Sequence, residues 1–186
     1  MGKRTSETGP LPKEHLGEPE VLVRELKDDG IFPNNKLPLL LYRKAVVLPK
    51  NDPATTFEKL FSANGWHGTW RNGIYSYHHY HSTAHEVLGI YCGTAKVELG
   101  GGDGVVHEVH PGDVIIIPAG VAHRNLGSSA DFGVVGAYPH GQDWDMNYGK
   151  IGERPQADRH IARVALPKAD PIYGLGGPLM EQWTLS

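Results

Sequence analysis

A mainly β chain, folded as a closed barrel or sandwich of the jelly-roll kind, is what the sequence predicts. From Trp66 onward, short apolar or alternating runs recur at a spacing of about 8–12 residues, the pattern of an all-β domain. The 24 glycines and 14 prolines among 186 residues are scattered between these runs, favouring tight turns over long helices. Only one segment carries both a helix start and a helix stop signal.

The elements follow in chain order. Residues 1–19 are polar, hold Gly9, Pro10, Pro12 and Gly17, and read as a flexible tail. The remaining residues, 20–186, then form a single domain. Glu20 to Leu26 alternates and is a first strand. Lys36 to Leu48 is a stronger strand, with Pro38 confining its start to a sheet edge. In the one short helix, Asp52 serves as the cap and Pro53 occupies the first turn. Phe57, Leu60 and Phe61 share a face, and Asn64-Gly65 ends the helix. Gly73 to His81 is aromatic-rich and alternates as a strand, and Glu86 to Tyr91 follows after a short link. Thr94 to Leu99 enters the turn Gly100-Gly101-Gly102-Asp103-Gly104, from which Val105 to Val109 returns. Val114 to Ile117 lies between the turns at Pro111-Gly112-Asp113 and Pro118-Ala119-Gly120. Val121 to Asn125 and Asp131 to Tyr138 complete the strands. Beyond Pro139 the signals fade into an irregular C-terminal tail that wraps the outside.

Bulk properties exclude several classes. Charged residues make up 21% and the formal net charge is -3, with no Lys/Arg block suited to nucleic acid. No run of eighteen apolar residues exists to span a membrane, and the N-terminus leads into no apolar signal region. The single cysteine, Cys92, cannot form an internal disulfide and suits a reducing compartment. A cytoplasmic protein with a small-molecule partner is the expectation.

Histidine is the unusual component. Seven of the 11 histidines fall between His78 and His123. His79 and His81 stand two apart on the expected strand, so their imidazoles point to one face. Glu86 begins the next strand and can offer an oxygen to the same point, and His123 arrives beside a later tight turn. Three neutral imidazoles and one carboxylate suit one divalent transition ion, such as Fe, Mn, Ni, Co or Zn. Four protein ligands leave about two positions of an octahedral ion open for substrate. His78 and His85, each adjacent to a ligand, face away by strand parity. Tyr75 and Tyr77 share the inward parity and, with Tyr138, are the candidates for substrate binding. Leu88, Ile90 and Cys92 give the site an apolar floor.

These residues carry a family resemblance. Gly73-x5-His79-x-His81-x4-Glu86-x6-Gly93 resembles the first motif of the cupin superfamily, and Gly112-x5-Pro118-x-Gly120-x2-His123 resembles its second. The family's Asn four residues after the last histidine is replaced by Gly127, with Asn125 two residues after. The resemblance implies a double-stranded β-helix, an RmlC-like jelly roll with its metal-site core at residues 73–138. It further implies a metal held by His79, His81, Glu86 and His123, and commonly a homodimer.

Three functions fit this pattern. One is a metal-dependent enzyme acting on a small oxygen-rich molecule by dioxygenase, decarboxylase or isomerase chemistry, with Glu86 also acting as a base. Another is a non-catalytic binding or sensing module that uses the same cavity. The third is a metal-free carbohydrate epimerase-like protein. The intact ligand set favours the first, and fold alone supplies no reaction.

Overall fold

The structure, a computed structural model, describes residues 13–184. Of the tail expected at 1–19, residues 1–12 lie outside the described residues. Lys13–His15 makes a short 3-10 turn, and Leu16 bridges to Val46.

Among the described residues, nine strands form two antiparallel sheets. They are β1 (Glu20–Leu26), β2 (Asn35–Arg43), β3 (Trp66–Asn72), β4 (Glu86–Cys92), β5 (Ala95–Leu99), β6 (Val105–Val109), β7 (Val114–Ile117), β8 (His123–Ser128) and β9 (Gly133–Pro139). The larger sheet has the order β1-β2-β7-β4-β9-β3, and the smaller has β6-β5-β8. This is a jelly roll, and strand alternation explains its two cores. Leu39, Leu41, Leu88, Ile90, Ile115 and Ile117 pack inward against Ala95, Val97, Leu99 and Val109 of the smaller sheet. Their neighbours Leu40, Tyr42, Val87, Val114 and Ile116 point the other way. The larger sheet is therefore covered on both faces, which is why its central strands are apolar runs without a polar partner face.

Helix α1 (Pro53–Ala63) covers that outer face with Phe57, Leu60 and Phe61. Gly89 lets it approach, since a Cβ there would stand 2.5 Å from the Phe57 ring. Asp52 does not cap α1 as expected. Its backbone is left-handed (φ 49°) and its carboxylate bonds no helical N–H, instead accepting the Thr55 hydroxyl at 2.5 Å.

Three other expectations are corrected. The strand at Gly73–His81 does not form; this stretch bends and joins its neighbours at scattered points, the bridges His79 to His123 and Tyr80 to Asn147 and single bonds from Asn125 N–H to Tyr75 O and Gly120 N–H to His81 O. Pro38 is not at a sheet edge, because β2 lies between β1 and β7. It sits where the β1–β2 register slips between Leu26–Asn35 and Arg24–Leu39, so no ladder bond is asked of it. The C-terminal tail is neither irregular throughout nor merely a wrapping. It contains α2 (Gln156–Ile161) and α3 (Pro178–Gln182), and it delivers Ile172, Leu179 and Trp183 into the outer core. Buried Asp170 fastens it, accepting the Tyr42 hydroxyl at 2.5 Å and the N–H groups of Ile172, Tyr173 and Leu179 at 2.8–3.1 Å. No helix among the described residues is long and apolar enough to cross a membrane.

Candidate metal centre

The two sheets bring the predicted ligands to one point between them. Glu86 opens β4 in the larger sheet and His123 opens β8 in the smaller. His79 and His81 arrive on the bent segment between β3 and β4. Reciprocal bonds hold His79 to His123 (N to O, 3.3 and 3.0 Å), and Gly120 N–H donates to the His81 carbonyl at 2.7 Å. Tyr80, between the two histidines, turns the opposite way and packs on Phe32 with Ala122 and Ala157. The alternation of side chains thus survives across residues 79–81, although the strand from which it was inferred does not.

All four side chains are buried, with exposures of 4% (His79), 6% (His81), 2% (Glu86) and 1% (His123). One ring nitrogen from each of the three histidines lies within 4.8 Å of the others. Glu86 Oε2 stands 2.6 Å from His81 Nε2 and 3.8 Å from His123 Nε2. The closer contact does not have the angle of a hydrogen bond, so Glu86 Oε2 and His123 Nε2 are buried without a hydrogen-bond partner. Two orphaned acceptor-capable atoms facing each other are costly unless something binds them.

Each imidazole is oriented from behind by a carbonyl. His79 Nδ1–H donates to Tyr77 O at 3.2 Å, His81 Nδ1–H to Asp145 O at 2.5 Å, and His123 Nδ1–H to Val121 O at 3.1 Å. A carbonyl can only accept, so each Nδ1 carries the proton and each Nε2 keeps its lone pair for a ligand. Burial pushes the pKa of His79 and His123 down, and in His123 the neighbouring His79 and His81 add to it. Burial also acts downward on His81, but the charge and contact of Glu86 outweigh it and leave the net shift upward. With nitrogen–metal bonds of about 2.0–2.1 Å, donors on one ion stand at most about 4.2 Å apart, so small side-chain shifts close this spread onto a single ion.

A cavity of about 220 Å³ adjoins the four side chains. Tyr75 and Tyr138 line it, as do Leu88, Trp70, Ile74, Trp144 and Met146. Tyr77 does not line it; half exposed, it stacks on Tyr75 with ring centres 4.9 Å apart. The apolar floor is shorter than strand parity implies. The β4–β9 register slips between Ile90 and Cys92, and the half-buried Cys92 thiol donates to Asp131 O at 2.7 Å away from the cavity. His78 and His85 both stay outside the cluster. His85 is nonetheless fully buried, accepting Ala119 N–H at 2.9 Å and packing on Trp183, and its burial brings its pKa down to about 4.

Residues 142–147 run alongside residues 80–85 as a strap. Asn147 exchanges backbone bonds with Tyr80 at 2.9 and 3.0 Å, and Gln142 Oε1 accepts His85 N–H at 3.0 Å. Thr83 Oγ1 donates to Asp143 O at 2.6 Å, and the Asp145 carboxylate accepts Ser82 N–H at 2.6 Å together with the Ser82 hydroxyl. Gln142 and Asp145 are thereby committed to the neighbouring segment, while Trp144 and Met146 reach the cavity. Alternation over 142–147 was the one signal in the sequence that could have pointed to this pair.

A jelly roll that carries both motifs, with candidate ligands from facing sheets converging on a buried point, keeps the resemblance to the cupin superfamily. The chain belongs to the family of the uncharacterized protein YjlB of Bacillus subtilis (strain 168). The two are 42% identical over 157 residues, which is 84% of this chain and 92% of YjlB. No family model matches the chain. Among solved structures, the coconut allergen cocosin is similar with a TM-score of 0.34 and 18% identity over 43% of this chain, which spans only 23% of cocosin. Acireductone dioxygenase from Bacillus anthracis, with a cadmium ion in its active centre, gives a TM-score of 0.38 and 14% identity, covering 69% of this chain and 83% of that one. Likenesses of this size carry nothing about chemistry.

Proposed function

We propose that this protein binds one divalent transition ion through His79, His81, Glu86 and His123 and is an enzyme acting on a small, oxygen-rich molecule. The observation that carries the reading is the set of three imidazoles, each fixed by a backbone carbonyl with Nε2 turned to a buried carboxylate oxygen that has no hydrogen-bond partner. Such an ion, when bound, supplies Lewis-acid polarisation of substrate oxygens, the common requirement of dioxygenase, decarboxylase and isomerase chemistry. The protein's own contribution is positional. The carbonyls of Tyr77, Asp145 and Val121 hold the rings, and the four side chains are buried from bulk water. Glu86, once free of a ligand role, is the one buried carboxylate on the cavity able to take a proton from substrate. The cavity lies below the range of about 300–1,000 Å³ usual for drug-sized ligands, which fits a small substrate. A homodimer, as the cupin resemblance implies, belongs to the same proposal.

Elemental analysis of protein purified without chelator tests the reading. It should find about one ion per chain, lost in His81→Ala. A wild-type protein that takes up none of Fe, Mn, Ni, Co or Zn overturns it. Oxygen-electrode assays of the Fe(II)-loaded protein with catechols, thiols and 2-oxo acids then separate dioxygenase from isomerase or decarboxylase chemistry.

A further inference from the structure

Beyond its four candidate ligands, the cavity is lined mainly by aromatic and apolar side chains, with few polar groups. Arg71 is its one lining Lys or Arg among the described residues, and two of its three guanidinium nitrogens are engaged elsewhere. Its Nε and Nη2 hold Glu58 at 2.6 and 3.1 Å, Nη2 also donates to Thr55 Oγ1 at 3.1 Å, and Asp52 lies 3.6 Å away. Asn72 Oδ1 is taken by the adjacent Gly73 N–H at 2.8 Å. Two lining hydroxyls remain, that of half-exposed Tyr75 and that of buried Tyr138. The Tyr138 hydroxyl oxygen accepts Trp70 Nε1–H at 2.8 Å, yet its own proton meets no acceptor among the described residues. A hydroxyl whose oxygen already accepts a bond donates its proton more strongly, since hydrogen bonds in a chain polarise one another. The side chain is only 6% exposed and lines the cavity, so that proton is available to a ligand there.

We propose that the cavity takes a small, flat ring compound with vicinal oxygens and an uncharged body, one oxygen of which accepts a hydrogen bond from Tyr138. This rests on the metal reading above, because the vicinal oxygens are what the ion would take. Three observations select the class. A phosphate or a second carboxylate would have to compete with Glu58 and Asp52 for Arg71, the one Lys or Arg on the walls. A sugar's row of hydroxyls would lie against Ile74, Leu88 and Met146, and each hydroxyl left without a partner costs binding. A flat π-face suits the aromatic walls, where the Tyr138 and Trp144 rings lie within 24° of parallel with centres 6.4 Å apart. Trp70, which also lines the cavity, positions the Tyr138 hydroxyl through its Nε1–H.

Binding of maltol, a flat hydroxypyranone, tests this against glucose 6-phosphate, a polyol phosphate. Calorimetric titrations would use zinc-loaded and metal-free protein, as wild type, Tyr138→Phe and Trp144→Ala, with melting curves to check folding. Maltol should bind the zinc-loaded wild type, and glucose 6-phosphate should not bind at the same concentration. Tyr138→Phe should weaken maltol about fivefold, the size of one neutral hydrogen bond, with bound zinc unchanged. Trp144→Ala, at an exposed position, should weaken maltol as well. Equal maltol affinity in wild type and Tyr138→Phe overturns the proposal, as does preference for glucose 6-phosphate or no maltol binding to either form. If the wild type takes up no zinc, the metal reading fails by itself. Maltol binding to the metal-free protein that still depends on Tyr138 would then uphold the cavity assignment.

Discussion

Replacing Asp145 by alanine should damage the metal centre from outside it. The Asp145 carboxylate holds Ser82 N–H at 2.6 Å, the Ser82 hydroxyl, and Asn147 Nδ2 at 3.1 Å, while its backbone carbonyl orients His81 at 2.5 Å. Ser82 is fully buried, so the variant strands its N–H; the hydroxyl keeps His160 Nδ1 at 3.2 Å. One stranded buried donor and one lost charge-assisted bond together give a stability cost of about 2–3 kcal/mol. The strap remains bridged through Tyr80 and Asn147, so the fold should survive. With its anchor gone, the carbonyl behind His81 is no longer held in place, and loss of such an outer partner typically lowers metal affinity about 10–100-fold. Asp145→Asn keeps an oxygen for Ser82 N–H and should recover most of that affinity. Competition of Co(II) against a chromophoric chelator measures affinity, and the Co(II) visible spectrum reports ligand geometry. An Asp145→Ala protein that melts lower but binds Co(II) with wild-type affinity and spectrum would refute the reasoning.

Three further outcomes follow from the packing and charges. Gly89→Ala places a methyl 2.5 Å from the Phe57 ring and should cost about 1–3 kcal/mol in urea unfolding by forcing α1 off the sheet; an unchanged midpoint would show that α1 yields freely. Tyr42→Phe leaves fully buried Asp170 without its hydroxyl donor and should cost about 1–3 kcal/mol, read by thermal melting. The Arg154 hydrogen bond lowers the Asp28 pKa to about 2, against about 3.9 in an unfolded chain. The pair's stabilisation is therefore complete above that unfolded value and is lost as pH falls through about 2. Because Asp28 is about half exposed, Asp28→Asn should cost less than about 1 kcal/mol at pH 7, and the difference should shrink below pH 4; a difference that grows on acidification contradicts this.

The strands from β4 to β7 were legible because local signals determine them. Turn glycines with positive φ at Gly100, Gly101 and Gly112 bracket runs whose apolar pattern has no other use. Gly73–His81 failed for a related reason: its alternation is real across 79–81, but neighbouring chain meets it only at isolated bridges and single backbone bonds, so no ladder forms. The C-terminal tail misled because its core residues, Ile172, Leu179 and Trp183, are too far apart to show a period.

The amino-acid sequence by itself placed His79, His81 and Glu86 near one another, because they lie within eight residues and two-residue alternation places side chains without knowledge of the rest of the chain. It likewise determined the jelly-roll class, through the spacing of strands and turns. Only the tertiary structure decided what surrounds those ligands. The carbonyl behind His81 comes from Asp145, the wall from Trp144, and the free hydroxyl proton from Tyr138, brought together by irregular bonds between segments some sixty residues apart. Periodicity states which way a side chain points, whereas it carries no record of which distant segment will come to face it.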